Sequence, residues 1–102
     1  MNPQETFDIL DNTKGAHRYI LILTDPETHK LERISLIERM EEDDINRNQF
    51  YNITKQLKQI KLIEENQIII DGRRNTYTKL TPKGEKIGEL IKQIIKTLED
   101  YT

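Results

Sequence analysis

The chain has 102 residues, enough for one domain with a modest core. A third of them are charged and about a third apolar, a polar balance that suits an extended shape or an oligomer. There is no cysteine, which excludes a disulfide framework, thiolate chemistry and a cysteine-ligated zinc cluster.

No basic segment followed by an apolar one opens the chain. Its longest apolar runs, YILIL and III, are far too short to span a membrane. A cytoplasmic protein without a membrane partner is expected. The net charge of −2 argues against a nucleic-acid binder until its distribution is considered. Residues 45–84 hold eight Lys/Arg against three acids, a balance of +5, while the remainder holds eight against fifteen, a balance of −7. This is either chance clustering or a basic face on an acidic body that polyanions repel.

Taken in chain order, residues 1–12 read as a loosely held arm. Asn12 or Thr13 can cap a helix to about Thr24, with Tyr19, Ile20 and Leu23 inward. Pro26 then disfavours helix at Asp25, and KLERI alternates enough for a short strand. SLIE, Ser35 to Glu38, has the spacing of a capping box. The helix it starts should stop in the acidic EEDD, because acids at a helix C-terminus oppose the macrodipole. Asn46 is the next N-cap, with Gln49 three residues on and Ile45 and Phe50 placed as a hydrophobic staple. Two helix starts this close outline a helix-turn-helix.

The helix from Arg47 to about Lys61 carries most of the functional signal. Phe50, Ile53, Leu57 and Ile60 form one apolar stripe. The opposite face carries Asn48, Tyr51, Asn52, Lys55 and Gln59, with Arg47 and Lys58 at its edge and no acid on it. Such a face is either merely solvated or supplies donors for base edges and phosphates. Strands are expected at 68–70 and 76–80, joined by DGRRN with its Asp-Gly turn chemistry. Arg73 and Arg74 gain little within the fold on such a hairpin. They solubilise the turn, or they meet something anionic along a backbone or in a minor groove. Thr81 and Pro82 then open a long helix as N-cap and N1. On it Ile87, Ile91, Ile94, Leu98 and Tyr101, widened by Leu90 and Ile95, form a stripe larger than a small core receives. Packing on the first helix is one outlet, and self-association, the favoured reading, is the other.

This order of elements, with KQLKQIKLIEE and DGRRNTYTKLTPKG as carrying motifs, resembles MarR/PadR-type winged helix-turn-helix regulators from Ser35 to Gly84. The implied class is α+β: a three-helix core with a two-stranded wing (residues 13–82), then a dimerisation helix (83–102). The wing looks short, the N-terminal dimerisation helix looks short or missing, and one long C-terminal helix replaces two. These departures suit small single-domain regulators of the archaeal or viral type. The resemblance implies a homodimer on a pseudo-palindromic double-stranded operator. Asn48, Tyr51, Asn52 and Lys55 would enter the major groove, and Arg73 or Arg74 would lie at the flanking minor groove. A protein-interaction winged helix without DNA reading is the alternative. No cofactor, metal or catalytic residue is expected: the two histidines, His17 and His29, sit in different segments, and no nucleophile elbow or phosphate loop is present. The sequence names no effector ligand.

Overall fold

Three successive helices turn their apolar stripes onto one core in the computed structural model, which describes residues 1–28 and 30–101; His29 and Thr102 lie outside the described residues. The elements are α1 (Pro3–Asn12), α2 (Ala16–Thr24), β1 (Lys30–Glu32), α3 (Arg33–Glu42), α4 (Arg47–Gln59), β2 (Ile63–Ile70), β3 (Arg73–Leu80) and α5 (Pro82–Asp100). Tyr19, Ile20 and Leu23 of α2 meet Leu36, Ile37 and Met40 of α3 and Phe50, Ile53 and Leu57 of α4. The Tyr19 and Phe50 rings stack with centroids 5.5 Å apart. Leu62, Ile63 and Leu80 close the core from the base of the hairpin.

Local signals explain how α4 is set. The Asn46 side chain accepts from the Gln49 N–H, and the Gln49 side chain accepts from the Asn46 N–H, both at 2.9 Å. That is the capping box the sequence implies. Both α3 and α4 end in a left-handed residue, Asp44 (φ 62°) and Lys61 (φ 61°). The Ile45 N–H reaches Met40 O at 3.0 Å and the Leu62 N–H reaches Leu57 O at 2.9 Å. These are Schellman closures, and each drives the next apolar residue, Ile45 or Leu62, into the core.

The sheet is antiparallel in the order β1-β3-β2. The wing strands span eight residues each, longer than the expected 68–70 and 76–80. Asp71 and Gly72 alone form the turn, both at positive φ (51° and 76°), as a two-residue type I′ connection requires. Arg73 and Arg74 are therefore the first residues of β3, paired with Ile70 and Ile69, and not part of the turn.

Two starts differ from expectation. Residues 1–12 are not a loose arm: Asn2 caps α1, and Ile9 and Leu10 pack against the core. Thr13 closes α1, so α2 begins only at Ala16, after Gly15. Nor does Ser35 cap α3. β1 pairs with β3 as far as Glu32 opposite Tyr77, and the chain turns straight into helix at Arg33, which leaves Ser35 inside the first turn.

Candidate nucleic-acid interface

α4 exposes the face the sequence assigns to it: Arg47, Asn48, Tyr51, Asn52, Lys55, Lys58 and Gln59 are all exposed. The Schellman turns and the Asn46 cap fix both ends of this helix, and its buried side anchors the rest. Thr54, absent from the expected stripe, is buried there too, and its hydroxyl lies 2.9 Å from the Tyr19 hydroxyl. Burial pushes the Tyr19 phenol well above its ordinary range, so that pair stays neutral.

The cations of the face differ in their surroundings. Lys58 Nζ sits 2.9 Å from Glu65 Oε1, and Arg33 Nη2 sits 2.8 Å from the other oxygen of the same carboxylate. Burial alone would raise the Glu65 carboxyl. Hydrogen bonds from Lys58 and Arg33, with their charges, outweigh it and hold the carboxyl below its usual range. Arg47 lies 3.9 Å from Glu41, a loose and exposed pair. Among the described residues, Lys55, Arg73 and Arg74 have no carboxylate within ion-pair distance.

Strand alternation divides the wing. Ile63, Glu65, Gln67 and Ile69 of β2 share a face with their partners Leu80, Thr78, Thr76 and Arg74. Ile63, Leu80 and Thr78 are buried and Glu65 bonds to Lys58, so this is the face turned toward α4. Arg74 therefore stands on the side of α4, and Arg73 stands on the opposite face with Ile70 and Tyr77. Ile69 and Ile70 are exposed beside the two arginines.

The second candidate surface is α5. Leu90, Ile94, Ile95, Leu98 and Tyr101 are exposed, whereas Ile87 and Ile91 pack against this chain's own core. Those two, counted with the expected interface, are only partly buried and line the groove beside α5 as well. An apolar groove of about 500 Å³ runs between α1, α2 and α5, with Phe7, Leu10, Leu21, Ile91, Ile94 and Ile95 among its walls and His17 at its edge. Sequence reasoning missed Arg33, Glu65 and Phe7. Glu65 follows Lys58 across a helix end whose left-handed closure no residue type announces. Phe7 belongs to a helix that reads as an arm. Among the described residues no group of three or more His, Asp or Glu is arranged to hold a metal ion, and no helix is long and apolar enough to cross a membrane.

Solved structures share this architecture. A mutant of MepR from a multidrug-resistant S. aureus clinical isolate superposes with a TM-score of 0.70 at 19% identity, covering 96% of this chain and 68% of that one. A transcriptional regulator homologue from Pyrococcus horikoshii gives 0.67 at 19% identity over 95% and 92% of the two chains. A PadR-like transcription factor from Bacteroides fragilis gives 0.66 at 19% identity over 93% of each. The fold is the winged helix. At these identities the likeness extends to the fold, which matches the MarR/PadR-like arrangement that the sequence motifs resemble. No protein-family model matches the sequence, and no curated protein is significantly similar to it. In winged-helix terms, α3 and α4 form the helix-turn-helix and β2–β3 is the wing.

Proposed function

We propose that the chain is a sequence-specific double-stranded-DNA-binding transcriptional regulator that acts as a homodimer. The recognition helix enters the major groove, and the wing lies on the flanking minor groove or backbone. One observation carries the reading: the exposed face of α4 holds Arg, Lys, Asn, Gln and Tyr without an acid, and Arg74 stands on the same side of the wing. Asn48, Asn52 and Gln59 offer paired donors and acceptors for base edges, while Lys55 and Arg74 are free to neutralise phosphates. The Pyrococcus neighbour, a transcriptional regulator homologue by its name, and the Bacteroides neighbour, a PadR-like transcription factor by its name, support the same class.

Dimerisation rests on the exposed apolar half of α5 and the groove beside it. A two-fold dimer sets two recognition helices about 34 Å apart, so the operator would consist of half-sites one helical turn apart. Selection of bound sequences from a random duplex pool tests the reading, and the expected outcome is an inverted repeat with that spacing. On the selected duplex, Asn52→Ala should relax the preferred bases. Arg74→Ala should weaken binding more than Arg73→Ala. Equal affinity for every duplex would point to a non-specific binder. Failure of heparin and random duplex to retain the protein below about 100 mM salt would favour a protein-interaction module.

A further inference from the structure

Where α4 meets the base of the wing, a shallow depression of about 290 Å³ is lined by Arg33, Tyr51, Thr54, Lys55, Lys58 and Glu65. Three of these are cations and one is a carboxylate. Glu65 is the least exposed of the ion-paired residues, with a side chain 11% accessible. Each of its oxygens takes one cation, Lys58 at 2.9 Å and Arg33 at 2.8 Å. The two cations come from different elements, α4 and the start of α3, and their own side chains are 52% and 39% accessible. An arginine has five donors and a lysine three, so one bond each to Glu65 leaves most of their donors unused by it, on side chains that still reach solvent. The carboxylate thus holds two cations at the rim without using them up, and Lys55 adds a third that has no acid partner among the described residues.

We infer that this depression seats one phosphate of the duplex backbone, with Arg33 as an additional phosphate-binding residue and Glu65 as the positioning residue that holds Arg33 and Lys58 in place. The inference rests on the DNA-binding reading above and extends it to residues outside the recognition helix. A phosphate fits the lining because one negative charge meets a local excess of two positive ones. Arginine and lysine donors fixed by a carboxylate lose less freedom on binding than loose surface side chains. Holding them also limits what a random duplex can draw from them, so the seat favours the docked register over other placements.

The test is fluorescence anisotropy of the full chain with a selected duplex and a random one across a salt series. Variants are Arg33→Gln, Arg33→Lys and Glu65→Gln, each checked for folding by thermal melting. Arg33→Gln should weaken the selected duplex more than the random one and reduce the slope of log K against log salt on the selected duplex by about 0.9. Arg33→Lys should keep the slope. Glu65→Gln should strengthen random binding several-fold, without a matching gain on the selected duplex, so the ratio of the two falls. Folded Arg33→Gln with wild-type affinity and slope would overturn the seat alone. Proportional loss on both duplexes in Glu65→Gln would reduce that residue to a structural brace and overturn its positioning role. Inorganic phosphate at the same ionic strength should displace the duplex from the wild type better than chloride does, and lose that advantage in Arg33→Gln; an advantage that is unchanged in Arg33→Gln would overturn the assignment of the seat to Arg33. No binding of any duplex by the wild type would remove the DNA reading itself.

Discussion

Thr54 is a polar residue on the buried side of α4, and one partner makes that position workable. Its hydroxyl lies 2.9 Å from the phenol of Tyr19, which is itself fully buried. A buried hydroxyl that loses its partner keeps the cost of leaving water, whereas a satisfied one contributes modestly. Tyr19→Phe removes one oxygen and preserves the ring stacked on Phe50, so the expected loss is about 1–2 kcal/mol. Chemical denaturation should show it as a lower midpoint at unchanged slope. A midpoint equal to that of the wild type would mean the pair contributes nothing. At this scale the sequence is legible where a residue answers to its own helix. Asn46 with Gln49, the apolar positions Phe50, Ile53 and Leu57, and the outward Asn52 and Lys55 all follow from helical spacing. Thr54, Glu65 and Arg33 do not, because their partners lie far along the chain.

Among the elements, α5 depends on two close approaches. A Cβ on Gly84 would stand 2.0 Å from the Leu62 carbonyl oxygen, and one on Gly88 would stand 2.3 Å from the Thr24 hydroxyl. The first clash is with backbone that already accepts the Thr81 N–H at 3.0 Å and cannot swing aside. Gly84→Ala should therefore destabilise the fold by at least the roughly 1–3 kcal/mol typical of overpacking, although alanine is the better helix former. Thermal melting checks this, and a raised midpoint would show that the helix base has room to move. The element order is readable from caps and periods, and Thr81 with Pro82 marks the start of α5 correctly. Three other boundaries are not readable. α1 is short and reads as an arm. Ser35 has capping-box spacing, but β1 carries the chain into helix two residues earlier. The wing runs to Arg73 because positive φ is confined to Asp71 and Gly72. That register separates the two arginines, which the sequence treats as equivalent.

As a whole molecule the chain is more extended than its length requires. Its radius of gyration is 14.1 Å, against about 13 Å for a compact domain of this size. Apart from the exposed Ile69 and Ile70 of the wing, the largest group of exposed apolar side chains gathers along α5 with Phe7 of α1, and a solitary protein rarely leaves so much together. The expected state is a dimer, and Ile94→Lys should shift it to monomer in sedimentation velocity. Ile94 is 60% exposed in the single chain, so the monomer should keep its fold and helical content. An unchanged sedimentation coefficient would place the self-association surface elsewhere. The charge asymmetry bears on the same scale: the acidic residues lie mostly outside 45–84, so a polyanion would be attracted to the basic segment and repelled by the rest of the body.

The glycine-wedged base of α5 also bears on geometry at a distance. The helix is 19 residues long, roughly 28 Å of rise, so a tilt of about 10° at the wedge would carry its far end about 5 Å. Leu62, whose carbonyl presses on Gly84, directly follows the turn that closes α4. A small shift where α4 ends would be magnified along α5 toward its tip, and a displacement of the tip would reach α4 only as a fine adjustment.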